Sequence, residues 1–218
     1  MKSRIITALL ILMLSVGLVL TFINPIQSIL IKRSSKQQLN LSAEEMKENE
    51  QKEASFDFEA VQSLTVADVL KAQFDTKDIA VLGSIVIPSV DLKLPIAKGV
   101  GEAALTIGAG TMKPDQTLGT GNYALASHYI ENKHDILFGP LYNAKVDDLI
   151  YVTDKEHVYV YEISSIEVIE ATDVHVISDV ADQTLLTLIT CAEDGVRRLS
   201  VVANFIEQKT FEEMKEIF

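Results

Sequence analysis

Cys191 is the one cysteine in 218 residues, and it closes the run Thr187-Leu188-Ile189-Thr190-Cys191. Arg197 and Arg198 follow it, and His128 ends an earlier apolar strand pattern. A thiolate is a soft nucleophile, an imidazole moves protons near neutral pH, and a guanidinium is a fixed cation with directional donors. Together these are the parts of a thiol acyl-transfer site. Taken singly, each has a plainer reading. A strand-end cysteine is most often a small buried hydrophobe, a histidine a hydrogen-bonded structural residue, an arginine a solvated or acid-paired one. His134, His157 and His175 carry only that plainer reading, as structural or exposed residues.

Alternation along strands puts the three on one face. In Thr184–Cys191, Leu186 and Leu188 share one side, and Thr187, Ile189 and Cys191 share the other. The leucine side belongs to the core, so Cys191 looks outward. Downstream, Leu199, Val201 and Ala203 form the apolar set, leaving Arg198, Ser200 and Val202 opposite. If the two segments pair as a hairpin, Arg198 shares the Cys191 side and Arg197 does not. In Tyr123–His128, Tyr123 and Leu125 face one way while Ala124, Ala126 and His128 face the other. Small alanines beside a histidine leave room for a peptide. The coincidence, more than any single residue, carries the functional reading.

The elements that must hold these residues are short and β-rich. Val81–Ile87 runs to Pro88, and Val90, Leu92, Leu94 and Ile96 alternate with Asp91, Lys93 and Pro95. Further strands are expected at 123–128, 149–153, 158–169, 184–191 and 196–205. A glycine-rich stretch spans 100–120, with a helical turn near Glu102–Leu105, and the tail Glu207–Phe218 reads as a short amphipathic helix. Regularly spaced short strands point to a barrel or sandwich. The net charge of -12 excludes a nucleic-acid partner, since phosphate binding needs clustered cations. The acidic run over 44–59 is a solvated face. One thiol allows no intrachain disulfide.

Ile5–Ile23 is uncharged and apolar, with Lys2 and Arg4 before it and Lys32, Arg33 and Lys36 after. About 20 such residues match the hydrocarbon thickness of a bilayer. The run is longer than a signal-peptide core and shows no small-x-small cleavage pattern, so it reads as a retained anchor. Basic residues at both ends leave orientation open. The resulting organisation is a membrane anchor over 1–31, a polar, partly helical stalk over 32–76 and a catalytic domain over 77–218. Fully extended, the stalk would reach on the order of 150 Å. Val61, Leu64 and Val69 are spaced to dock on the domain.

At this point the chain resembles the sortases, the cysteine transpeptidases that attach surface proteins to Gram-positive cell walls. The likeness covers Ile79 to about Phe205. It rests on the run ending at Cys191, on Arg198 followed by Leu199-Ser200-Val201-Val202, on Asn122-Tyr123-Ala124-Leu125-Ala126-Ser127-His128, and on Gly83-Ser84-Ile85-Val86-Ile87-Pro88. An N-terminal anchor without a C-terminal one resembles the class A, housekeeping type. The resemblance implies a mainly β fold, a closed eight-stranded barrel with short helices, and a groove for a Leu-Pro-X-Thr-Gly sorting signal.

By the same resemblance Cys191 attacks the Thr carbonyl, His128 moves protons at the leaving and incoming amines, and Arg198 holds the substrate backbone or the oxyanion. Ala126, Thr187, Ile189, Val176 and Ile177 match groove-lining positions, Thr190 assists the oxyanion, and Ser200 joins the substrate-facing set. The partners are surface proteins with C-terminal sorting signals, a lipid II-type cell-wall precursor amine, and the membrane through the N-terminal helix. That puts the catalytic domain on the cell-wall side. Neither cofactor nor metal is called for. Three departures stand out. Ser127 replaces the family's glycine. Only residues 192–197 separate Cys191 from Arg198. Lys113, Gln116 and Thr120 fall where some members carry calcium-binding acids, leaving Asp115 and Asp179 too few to hold the ion. Rival readings are a pilus- or sporulation-type sortase and a catalytically silent, membrane-anchored binding barrel. An L,D-transpeptidase-like enzyme is disfavoured, because Leu188-Ile189-Thr190 lacks the His and Gly that family places before its cysteine.

Overall fold

The alternation of Leu92, Leu94 and Ile96 against Lys93 becomes a strand whose leucines and isoleucine are buried while the lysine is exposed. It is the second of eight: β1 (Val81–Ile87), β2 (Leu92–Ala97), β3 (Ala109–Thr111), β4 (Asn122–Ala126), β5 (Leu149–Thr153), β6 (His157–Glu170), β7 (Leu185–Ala192) and β8 (Arg197–Thr210). In this computed structural model, which describes residues 2–58, 61, 64–72, 79–131, 133–192 and 195–218, the strands close as β1-β2-β3-β4-β7-β8-β6-β5. β5 returns to pair with β1, completing the barrel. The β2–β3 and β4–β7 pairs are parallel and the rest antiparallel. Tyr123, Leu125, Leu186, Leu188, Val201 and Ala203 fill the interior, on the sides that alternation assigned to them.

Two boundaries differ from the expected ones. β4 ends at Ala126, so His128 stands just beyond the strand. β8 runs on to Thr210 because β6 continues to pair with it as far as His157↔Thr210. The expected tail helix therefore shrinks to α5 (Phe211–Met214) and one further turn.

The N-terminal segment is mostly helical: α1 (Lys2–Gln38), α2 (Ala43–Asn49) and α3 (Val66–Ala72) precede the barrel, and α4 (Glu102–Ile107) lies between β2 and β3. α1 is one continuous helix of 37 residues. Its described apolar residues from Ile5 to Leu14 are exposed, and side chains 8, 16 and 18–24 lie outside the described set. Among the described residues no helix is long and apolar enough to cross a membrane.

The segment expected to reach outward instead lies along the barrel. Ile31 is buried in the main core, Ser35 donates its hydroxyl to the Ile107 carbonyl, and Lys133 donates to Gln27 at 2.8 Å. Ser42 and Glu45 cap α2 reciprocally, its Met46 packs against Val81 and Ala97, and Asn49 donates to the Val81 carbonyl at 2.9 Å. Leu64 and the fully buried Val69 join the main core. The physical reason is plain: each such side chain withdrawn from water contributes about 1.5–3 kcal/mol, and the polar residues between them stay solvated.

Candidate active site

The β7–β8 register sets Cys191 directly opposite Arg198, and Ala192 opposite Arg197. Residues directly opposed in an antiparallel pair share a face. Cys191 is a free, half-buried thiol. Arg198 donates from Nη1 to the carbonyls of Gly195 at 2.7 Å and Arg197 at 3.0 Å, and it has no carboxylate partner among the described residues. Arg197 points elsewhere, 3.2 Å from Glu170 and donating to the Val168 carbonyl at 3.0 Å.

His128 arrives from the other side of β7. The parallel β4–β7 register pairs Ala126 with Ile189. One step on, the Ser127 N–H donates to the Ile189 carbonyl at 3.2 Å and Thr190 Oγ1 donates to the Ser127 carbonyl at 2.7 Å. Carried two residues past the end of β4, the same register would set His128 level with Cys191. His128 is 6% exposed, and its Nε2 lies 3.4 Å from Glu102 Oε1 on α4. Ser127 faces the core side, as expected, and donates to the Gly108 carbonyl at 2.6 Å. Gly108 is needed there, since a Cβ would stand 2.2 Å from the Pro95 carbonyl oxygen. α3 adds a second negative group near the imidazole. Hydrogen bonds from Thr65 hold the Asp68 carboxyl below its usual range, with a smaller contribution from the charge of His128.

Residues 85–206 match the Sortase domain family model. The chain belongs to the sortase family. It is 38% identical to Sortase A of Streptococcus agalactiae over 202 residues, covering 89% of this chain and 82% of the relative. It is equally 38% identical to Sortase A of Listeria monocytogenes over 209 residues, 95% of this chain and 93% of the relative. The solved structure of the Listeria monocytogenes enzyme superposes with a TM-score of 0.59, covering 63% of this chain and 94% of that one. These relatives make it a class A sortase, a cysteine transpeptidase.

The segment expected to supply the groove wall is the turn Val174–Ile177, between β6 and β7. Asn122 is 2% exposed, and its Nδ2 donates to the carbonyls of Val176 at 3.0 Å and Ser178 at 3.2 Å. Its Oδ1 accepts from Thr187 Oγ1 at 2.8 Å, and its N–H donates to Asp179 Oδ1 at 2.8 Å. The Lys113 ammonium lies 2.6 Å from the same Asp179 oxygen. Lys113 and the Asn122 N–H together hold the Asp179 carboxyl below its usual range.

The expected groove residues separate into two sets. Ala126, Val176 and Ile177 are half-buried and reach the surface, with Ile189 nearly covered. Thr187, Thr190 and Ser200 are buried. The Thr187 hydroxyl is engaged by Asn122 and that of Thr190 by Ser127, so both brace the floor beneath the groove. Thr190 lies on the Leu188 side of β7, so its hydroxyl is turned from an oxyanion formed over Cys191.

In the loop of Lys113, Gln116 and Thr120, Gln116 bonds both backbone groups of Ala124, and among the described residues no three acids, histidines or cysteines gather. After Cys191 the strands pair through Ala192↔Arg197, so the connecting loop is 193–196. Glu193 and Asp194 within it lie outside the described residues.

Sequence reasoning missed Glu102, Tyr129 and Tyr142. The Tyr142 hydroxyl donates to the Cys191 carbonyl at 3.0 Å, and its ring lies 4.8 Å from that of Tyr129 and 6.3 Å from that of His134. Tyr142 and Glu102 come from a tight turn and a one-turn helix, where no strand alternation marks the side a residue faces.

Proposed function

We propose that this sortase cleaves a Leu-Pro-X-Thr-Gly signal between Thr and Gly and joins the Thr carbonyl to the amine of a lipid II-type cell-wall precursor. The observation that carries the reading is the opposed pair Cys191↔Arg198, supported by a β4–β7 register that, continued past Ala126, runs toward His128 on the other side of β7. The Cys191 sulfur adds to the Thr carbonyl, Arg198 stabilises the oxygen as charge develops on it, and the C–N bond breaks as His128 protonates the departing glycine amine. The precursor amine then adds to the thioester, His128 takes its proton, and the thiolate leaves. Ala126, Ile189, Val176 and Ile177 line the peptide groove. The apolar run Ile5–Ile23 of α1 anchors the enzyme in the membrane with the barrel on the cell-wall side. Its clients are surface proteins bearing C-terminal sorting signals.

The test uses the full chain in detergent micelles, a quenched Leu-Pro-X-Thr-Gly peptide, and an added amine. Cleavage with a thioacyl adduct on Cys191 that the amine discharges supports the reading. A folded enzyme that neither cleaves nor forms an adduct overturns it. Reactivity of Cys191 toward a thiol probe then separates a different sorting signal, as in pilus- or sporulation-type enzymes, from a silent barrel.

A further inference from the structure

Two polar atoms closed off from solvent lie close together on the proposed acid–base residue and on α4. Glu102 Oε1 and His128 Nε2 are 3.4 Å apart, and neither has a hydrogen-bond partner among the described residues. An ionised carboxylate can only accept, whereas an imidazole nitrogen accepts or donates according to its proton. Two acceptors left against each other here would each forfeit hydration without return. With the carboxylate ionised, the arrangement is favourable only when Nε2 carries a proton. A neutral imidazole has one proton, so placing it on Nε2 leaves Nδ1 as the basic nitrogen.

The helix that carries Glu102 is well fixed for such a role. α4 is tied at its end by Ser127 donating to the Gly108 carbonyl at 2.6 Å and by Ser35 of α1 donating to the Ile107 carbonyl. Gly108 lets that end approach β2 closely, and Thr106 Oγ1 donates to the Glu102 carbonyl at 2.8 Å. The tie through Ser127 matters most, because Ser127 immediately precedes His128. The carboxylate and the imidazole are thus mounted on backbone segments fastened to each other.

We propose that Glu102 is a positioning residue for His128. It holds the ring with its proton on Nε2, so that Nδ1 gives the proton to the departing amine and takes it from the incoming one. No proton passes to Glu102. The inference rests on the reading of His128 as the acid–base group.

The test compares wild type, Glu102→Ala, Glu102→Gln and His128→Ala, all full-length in detergent. Glu102→Ala is expected to lower kcat about 10- to 100-fold with KM within about twofold, the scale for a partner that orients a catalytic imidazole without touching substrate. Glu102→Gln, which keeps an acceptor oxygen, should retain more activity than alanine. Independently of turnover, nitrogen-15 spectra of histidine-labelled protein should show neutral His128 protonated at Nε2 in wild type, with that proton exposed to faster exchange in Glu102→Ala. Wild-type kcat in Glu102→Ala, or a wild-type ring protonated at Nδ1, overturns the inference. If His128→Ala is inactive while Glu102→Ala is unaffected, only this inference fails. If His128→Ala turns over normally, the acid–base reading itself has failed.

Discussion

Adjacent arginines in this site have separate occupations. Arg198 stands across from Cys191 with its guanidinium resting, among the described residues, on the carbonyls of Gly195 and Arg197, which leaves donors for a substrate oxygen. Arg197 is paired with Glu170 on β6. Cys191→Ala should therefore abolish turnover and Arg198→Ala should reduce kcat/KM by at least about 100-fold, the scale of losing one donor to a developing oxyanion. Arg197→Ala should leave kinetics within about threefold and cost at most about 1 kcal/mol of stability, as for a partly exposed ion pair. Steady-state cleavage rates and denaturant melts on the three variants decide this. Similar kinetic losses at both arginines would show that the strand-face assignment does not govern function.

At the scale of elements, the wall Val174–Ile177 has no strand ladder of its own and depends on Asn122. Asn122→Ala removes both tethers to its carbonyls and the acceptor for Thr187, so it should raise KM about three- to tenfold with a smaller change in kcat and cost about 1–3 kcal/mol. Asn122→Asp turns a carboxylate oxygen toward two carbonyls and should be no better. An unchanged KM in both would mean the wall does not contact the peptide. The Lys113–Asp179 pair fixes the far end of the same segment with an ammonium. Added calcium or a chelator should leave kcat/KM unchanged, and calcium-stimulated turnover would contradict that.

The faces of β4, β7 and β8 were legible in sequence because two-residue alternation is a strong signal in a strand with one side in the core. That signal located Cys191 and separated Arg198 from Arg197. It had nothing to say about α4, the wall turn or Tyr142, whose orientations follow from long-range hydrogen bonds. It also put Thr187 on the outward face, where it is nonetheless buried, since alternation gives a side but not what covers it. The polar character of residues 32–76 suggested a solvated reach, yet Met46 and Asn49 within them fasten that segment to the barrel.

For the molecule as a whole, burial in the barrel pushes the Tyr161 hydroxyl up to about 12, and burial raises that of Tyr123 further still. Below about pH 10 both are neutral, folded or unfolded, and contribute no pH dependence. Above it, the unfolded chain releases protons that the fold retains, so stability falls by about 1.4 kcal/mol per pH unit per tyrosine until the folded values are reached. Denaturant melts at pH 9, 10 and 11 should show that decline, and Tyr161→Phe should make it shallower. A flat profile would mean the two rings gain solvent access.

Closure of the barrel also constrains how a peptide can be recognised. Because β5 hydrogen-bonds to β1 and β7 lies between β4 and β8, the strand leading to Cys191 has a neighbour on each side over Leu185–Ile189 and offers no free edge there on which an incoming chain could extend a ladder. A bound peptide must be held by the fit of its side chains and by a few isolated donors, which favours quick arrival and quick departure over tight residence. Under the proposed mechanism, commitment then comes from covalent capture at the thiol: such an enzyme samples many tails loosely and keeps only those whose carbonyl reaches Cys191 before they drift away.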